Sequence, residues 1–210
     1  MMYQFHPLVG IWKEFRGEFR RCLAKENPPL QLMQAWMTGG ERTCFYSEAV
    51  LPEVAGGLGL RVEKELLNID WALCLPVSDE FSVPVIFVES ENIAGGADQE
   101  VRKLCCVSAP LRILITVAEW DEVEGVWPNG GNKTKMLHGW QEIVRHHAKT
   151  WPCPSLLGIL VGELSRDETR LRFYSYAIDP AGEVVADFPD DVLIEFKITS
   201  AWPAPKSPLP

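Results

Sequence analysis

The chain has 210 residues, 47% of them hydrophobic, and a formal net charge of −9. This length and composition predict one globular domain with a full core, and they exclude a largely disordered chain. The acidic balance argues against a broad basic surface, which supplies most non-specific affinity for nucleic acid, although the local distribution of charge matters more than the total.

Neither a signal peptide nor a membrane span is expected. No charged-then-apolar segment stands at the N-terminus, and the longest aliphatic run, residues 156–161, is too short to cross a bilayer. The six cysteines form no CxxC pair, and small buried thiols are typical of proteins in a reducing compartment. We therefore expect a cytoplasmic protein without a membrane partner, and a homodimer is possible.

The first quarter of the chain is predicted to be helical. Large apolar residues recur every three or four positions in residues 1–25, which is the period of an amphipathic helix. They are Trp12, Phe15, Phe19 and Leu23. Asn-Pro-Pro at 27–29 ends this helix, and further helices are expected over 30–37 and 41–55. Pro52 predicts a kink or a break in the last of them.

From residue 60 the pattern changes to strands. Apolar or alternating runs predict strands over 60–67, 69–75 and 85–92, a helix over 98–107 capped by Asp98, and a strand over 111–118. A helix over 136–151, a hairpin of 156–164 with 171–178, and a strand over 192–198 complete the pattern. The strand–helix–strand order after residue 85 predicts a parallel crossover. The fold class is therefore α/β (α+β), a central mixed sheet flanked by helices. We expect one domain over 1–201 and a loose Pro-rich tail over 202–210.

The most informative stretch is residues 69–92. Val85 to Val88 has the composition of a buried strand, yet the strand ends in Glu89 and Glu91, which share a face because they are two residues apart. If the runs on either side of residue 79 pair as a hairpin, Asp70 lies across from Glu89. Three carboxylates this close stay ionised together only beside a cation, and oxygen ligands suit Mg²⁺ or Mn²⁺.

With Asp70 opening the second strand and Glu89 closing the third, residues 41–118 resemble the PD-(D/E)XK nucleases, the restriction-endonuclease-like fold. The resemblance implies that Asp70 and Glu89 bind metal. Glu91 stands where the family usually has lysine, and Lys103 on the following helix can supply that function. Glu48, on the helix before the first strand, matches an acid that some members add to the metal shell.

The resemblance implies a divalent-metal-dependent nuclease that hydrolyses phosphodiester bonds, with DNA as its substrate and Mg²⁺ or Mn²⁺ as its cofactor. Asp70, Glu89, Glu91 and Lys103 are then the catalytic residues. The departure at Glu91 and the acidic net charge leave open a non-catalytic member of the same fold that acts as a binding or assembly subunit, and a different α/β family whose acids are merely exposed.

A second stretch spells the motif more literally. Asp190 is followed by Glu195-Phe196-Lys197, but only four residues separate Asp190 from Glu195, which leaves no room for a hairpin. We therefore expect Glu195 and Lys197 on the solvent face of an edge strand, where lysine protects the edge from pairing with another chain.

Overall fold

A computed structural model describes residues 6–25, 30–36, 38–186 and 192–198. The helices are α1 (His6–Ala24), α2 (Leu30–Ala35), α3 (Gly39–Phe45), α4 (Leu51–Gly57), α5 (Ala97–Cys105) and α6 (Lys133–Thr150). The strands are β1 (Arg61–Lys64), β2 (Trp71–Pro76), β3 (Ser82–Glu91), β4 (Leu111–Val117), β5 (Leu156–Leu164), β6 (Arg170–Ile178) and β7 (Val192–Lys197).

The seven strands form one mixed sheet in the order in which they occur along the chain. Strands β1, β2 and β3 pair antiparallel, and so do β5, β6 and β7. Strands β3, β4 and β5, in the centre of the sheet, are parallel to one another. Helices α5 and α6 connect the parallel strands, as the predicted crossover requires. The predicted α/β class, with a central mixed sheet flanked by helices, is confirmed.

Two apolar cores lie on the two faces of the sheet. One is shared with α1 to α4 and the other with α5 and α6. The four apolar residues predicted for the inner side of α1 are all fully buried. Gly158 and Gly162 of β5 let the helical layer approach closely, because a Cβ at either position would lie 2.3–2.5 Å from the indole of Trp12 or Trp36.

Pro52 has the effect that the sequence predicts. The helical run from Gly39 to Gly57 is interrupted by a π-helical turn over Tyr46–Val50, immediately before α4, which has Pro52 in its first turn. Proline has no N–H to continue the α-helical hydrogen-bond ladder, so the wider turn absorbs the interruption.

Several predicted boundaries were wrong. Strand β1 ends at Lys64 rather than residue 67, because Glu65, Leu67 and Asn68 adopt left-handed φ values of 56° to 61° in a tight turn. Helix α5 begins at Ala97, so Asp98 lies in its first turn instead of capping it. Helix α6 begins three residues earlier than predicted.

The literal motif near the C-terminus has only its second half among the described residues. Glu195 and Lys197 lie on β7, an edge strand, as predicted, and Glu195 pairs with Arg172. Residues 189–191 and the 202–210 tail lie outside the described part of the chain. None of the described helices is both long and apolar enough to cross a bilayer.

Candidate active site

The predicted carboxylates lie where three parallel strands end. Strands β3, β4 and β5 run in the same direction, so their carboxyl ends form one edge of the sheet, which is where α/β proteins commonly bind ligands. The cross-strand register also places buried Thr116 of β4 beside Glu91, and its hydroxyl has no hydrogen-bond partner. Glu163 of β5 lies at the same edge.

The hairpin brings Asp70 and Glu89 together as predicted. Trp71 pairs with Val88, so the next position in the antiparallel register sets Asp70 opposite Glu89. Asp70 Oδ2 accepts a hydrogen bond of 2.9 Å from the backbone N–H of Ser90, which fixes this carboxylate against the end of β3. The left-handed turn that ends at Asn68 delivers the chain directly to this position.

Lys103 reaches the pair from α5. Its ammonium lies 2.6 Å from Glu89 Oε1 and 2.8 Å from Glu100 Oε2, so one lysine bridges a strand carboxylate and a helix carboxylate. Glu100 and Lys103 are three residues apart and therefore lie on the same side of α5. The side chain of Glu89 is only 2% exposed, whereas that of Lys103 is 37% exposed.

Glu89 is an unusual carboxylate because its ionised form is poorly compensated. Burial raises its pKa; the Lys103 ammonium lowers it, the charges of Asp70 and Glu100 raise it, and the result is a pKa of about 8. Apart from the ion pair with Lys103, Glu89 Oε1 has no donor among the described residues. A buried acid beside two like charges is a group that a cation would stabilise.

Glu91 is oriented away from the pair. Its Oε1 accepts a 2.8 Å hydrogen bond from the backbone N–H of Ile93, and its Oε2 lies so close to Gly96 that a Cβ there would approach it to 2.9 Å. Glu91 therefore packs over the short turn that leads into α5. The arrangement expected from strand alternation holds for the backbone, but the side chain turns toward this loop.

Glu48 lies on the π-helical turn and is exposed. It makes no hydrogen bond or ion pair with any described residue, so no contact links it to Asp70 or Glu89. Across the described ranges, no three His, Cys, Asp or Glu side chains are grouped to hold a metal ion. The carboxylate pair remains the candidate, since Mg²⁺ keeps several waters and commonly takes one or two carboxylates from a protein.

The guanidinium of Arg42 also lies at this strand end, on the opposite face of the sheet. Asn92, directly after β3, accepts a 3.0 Å hydrogen bond from Arg42 Nε and donates one of 3.2 Å to Thr43 Oγ1. Both partners belong to α3. The contact attaches the N-terminal helical layer to the edge that carries Asp70 and Glu89.

A second buried carboxylate at this edge has a complete set of hydrogen bonds. Glu163 Oε1 accepts from the backbone N–H groups of Trp120 and Asp121, at 2.6 and 2.8 Å, and from Trp127 Nε1 at 2.8 Å. Its Oε2 accepts from the Tyr174 hydroxyl at 2.7 Å. This carboxylate holds the loop after β4 against the sheet.

Sequence reasoning missed Glu163 and Arg42. Glu163 carried the signal that identified Glu89, an acid near the end of a long apolar strand. Arg42 carried no such signal, because its position depends on how α3 docks against a strand 50 residues away.

No family model matches this chain, and no curated protein is similar to it at a significant level. Among solved structures, it is similar to the central domain of yeast acetyl-CoA carboxylase, with 11% identity and a TM-score of 0.39 over 89% of this chain and 34% of that one. This chain thus spans about one third of that protein's length. It is also similar to a carbon-nitrogen hydrolase from Helicobacter pylori G27, with 12% identity and a TM-score of 0.32 over 86% and 78% of the two chains. Similarities this weak do not identify a fold family or a function.

Proposed function

We propose that this protein is a divalent-metal-dependent nuclease that hydrolyses phosphodiester bonds, with DNA as its substrate. One observation carries the proposal. Lys103 on α5 pairs with buried Glu89 at 2.6 Å, at the point where the hairpin register sets Asp70 opposite Glu89. This proximity supports the proposal, because the PD-(D/E)XK resemblance assigns roles to Asp70, just before β2, to Glu89 on β3 and to Lys103 on α5.

The two carboxylates suit a hard cation. Asp70 and Glu89 would hold Mg²⁺ or Mn²⁺, which prefer oxygen ligands. When bound, the ion would neutralise charge on the scissile phosphate and lower the pKa of a water. Cation binding would also favour the ionised form of Glu89, whose pKa burial raises to about 8.

Lys103 is the residue proposed to orient the attacking water or the phosphate. It is partly exposed, it carries three donors, and Glu100 holds it beside Glu89. Glu91 is a weaker candidate for that part, because its carboxylate accepts from the turn at Ile93. Glu48 remains a proposed additional metal ligand that only the resemblance supports.

The test is cleavage and metal binding by matched variants. We expect the wild type to cleave DNA with Mg²⁺ or Mn²⁺, and Asp70→Asn and Glu89→Gln to lower the rate by at least about 100-fold and to lose Mn²⁺ binding in calorimetry. Lys103→Met should lose activity but still bind metal. Asp79→Asn, in the exposed loop at the other end of the same hairpin, is the control and should match the wild type.

A second candidate is a non-catalytic binding or assembly subunit of the same fold. The observation that favours it is the ion pair itself, because Lys103 supplies positive charge to Glu89 where a metal otherwise would. A wild type that binds DNA but neither cleaves it nor binds Mn²⁺ would establish this candidate and refute the nuclease. The proposed compartment is the cytoplasm, on the evidence that all six cysteines are free thiols.

A further inference from the structure

Arg42 is held in a fixed orientation without an acidic partner. Its Nε donates to Asn92 Oδ1 at 3.0 Å, one terminal nitrogen donates to the Trp36 carbonyl at 3.4 Å, and the guanidinium carbon lies 5.5 Å from the centre of the Trp36 ring. No carboxylate of the described chain forms an ion pair with it. Burial lowers its pKa, yet arginine stays protonated in proteins. Among the described residues, this half-buried cation is thus compensated only by neutral groups.

The hydrogen bond to Asn92 holds the Arg42 guanidinium at the strand end that carries the proposed catalytic residues. Asn92 follows Glu91 in the chain, and alternation along the strand sets it on the face opposite Glu89 and Glu91. Helix α3 lies close against this strand end, because a Cβ at Gly39 would lie 3.0 Å from Asn92 Cγ. The carboxylates and the guanidinium therefore lie on the two sides of one strand end.

We propose that Arg42 binds a backbone phosphate next to the scissile one, so that the substrate is a polynucleotide lying across the end of β3. The inference rests on the proposed nuclease function and extends it to a substrate class. A guanidinium has five N–H donors, and those that do not donate to Asn92 or Trp36 have no acceptor among the described residues, which leaves them for phosphate oxygens. A neutral side chain would be enough to dock α3, whereas an unpaired, half-buried charge has an electrostatic cost that a bound anion removes.

The experiment compares a polymer with a substrate that has one phosphate. Cleavage of a labelled oligonucleotide and of bis(p-nitrophenyl) phosphate is measured for the wild type, Arg42→Gln and Arg42→Lys. We expect Arg42→Gln to raise KM for the oligonucleotide about tenfold with kcat within about twofold, and to leave KM for the small diester unchanged. The slope of log affinity against log salt should fall by about one, and Arg42→Lys should retain that slope while losing part of the affinity.

Arg61→Gln is the control. Arg61 is exposed on β1, and in the strand register it lies opposite Cys74, near the end of β2 that is far from Asp70. Removing its charge should therefore change neither KM nor the salt slope. Thermal unfolding checks that the variants are folded. If Arg42→Gln does not fold, Arg42→Lys carries the test through its higher KM for the oligonucleotide alone.

The outcomes separate the two proposals. If the wild type cleaves and both Arg42 variants keep its KM and salt slope, the phosphate position is refuted and the nuclease stands. Equal losses on both substrates would mean that Arg42 acts only through the geometry of the carboxylates, which also refutes it. A wild type that neither cleaves the substrates nor binds the oligonucleotide in fluorescence anisotropy overturns both proposals.

Discussion

Glu89 and Glu163 occupy equivalent places and have opposite surroundings. Each lies near the end of a parallel strand, on the α5 and α6 side of the sheet, and each residue is at most 4% exposed. Glu163 accepts four hydrogen bonds from the protein and faces no lysine or arginine of the described chain at ion-pair distance. Glu89 has one ion pair with Lys103 and two acidic neighbours.

The difference separates a structural carboxylate from a candidate catalytic one. The protein solvates Glu163 with its own backbone and side chains, and the donors come from the loop after β4 and from β6. Such a carboxylate organises its surroundings, and no ligand is required. The ionised form of Glu89 is incompletely compensated, which is typical of a residue that acts on a ligand outside the chain.

The largest expected effect is on stability, from Glu163→Ala. This change leaves the N–H groups of Trp120 and Asp121, the Trp127 indole N–H and the Tyr174 hydroxyl without their acceptor. Because an unsatisfied buried donor costs about 1–3 kcal/mol, we expect the free energy of unfolding to fall by about 3–5 kcal/mol, after partial compensation by water. Urea denaturation measures the change.

Glu124→Ala is the matched control, because Glu124 lies exposed in the same loop. It should change the free energy of unfolding by less than about 0.5 kcal/mol. A loss below about 1 kcal/mol in Glu163→Ala would contradict the structural assignment and would make the two carboxylates alike.

A smaller effect is expected in the pH dependence of the free energy of unfolding, and the titration of Glu89 should cause it. The folded-state pKa of about 8 exceeds the ordinary value of 4.5, so the unfolded chain releases this proton at lower pH than the folded one. The contribution to stability is therefore complete below pH 4.5 and is lost as the pH rises toward 8. Without divalent cations, the free energy of unfolding should fall by a few kcal/mol over this window.

Glu89→Gln removes the titrating group, so its unfolding free energy should be flatter than that of the wild type over the same pH range. Mg²⁺ should also flatten the wild-type curve, because a bound cation stabilises the ionised carboxylate. Identical pH profiles for wild type and Glu89→Gln would show that Glu89 is ionised at neutral pH and as well compensated as Glu163.

The sequence could predict the hairpin and its acids because these are local properties. Two apolar runs of similar length flank a polar loop, so the pairing that buries both runs also sets Asp70 opposite Glu89. Lys103 was proposed from the resemblance to the PD-(D/E)XK nucleases, since some members carry the lysine on the helix that follows the third strand.

The remaining features depend on contacts that period and composition do not encode. The orientation of Glu91 follows from the geometry of the turn at residues 94–96, and strand alternation describes only where its Cα lies. The position of Arg42 depends on how closely Gly39 lets α3 approach Asn92. The cap of α5 was predicted at Asp98, two residues after the observed cap at Gly96, since a cap and a first-turn acid look the same in sequence.

The smallest expected effect is that of Glu91→Gln, which extends the comparison to a third carboxylate at the same edge. Glu91 is half-buried and accepts one local hydrogen bond, from Ile93. Glutamine can still accept that bond, so we expect a change in the free energy of unfolding below about 1 kcal/mol. If Lys103 rather than Glu91 serves the water, the cleavage rate should fall less than about tenfold, against at least about 100-fold for Glu89→Gln. Single-turnover cleavage at saturating Mg²⁺ measures both rates. A loss in Glu91→Gln equal to that of Glu89→Gln would mean that the side chain leaves the turn at Ile93 and joins the proposed metal site during catalysis.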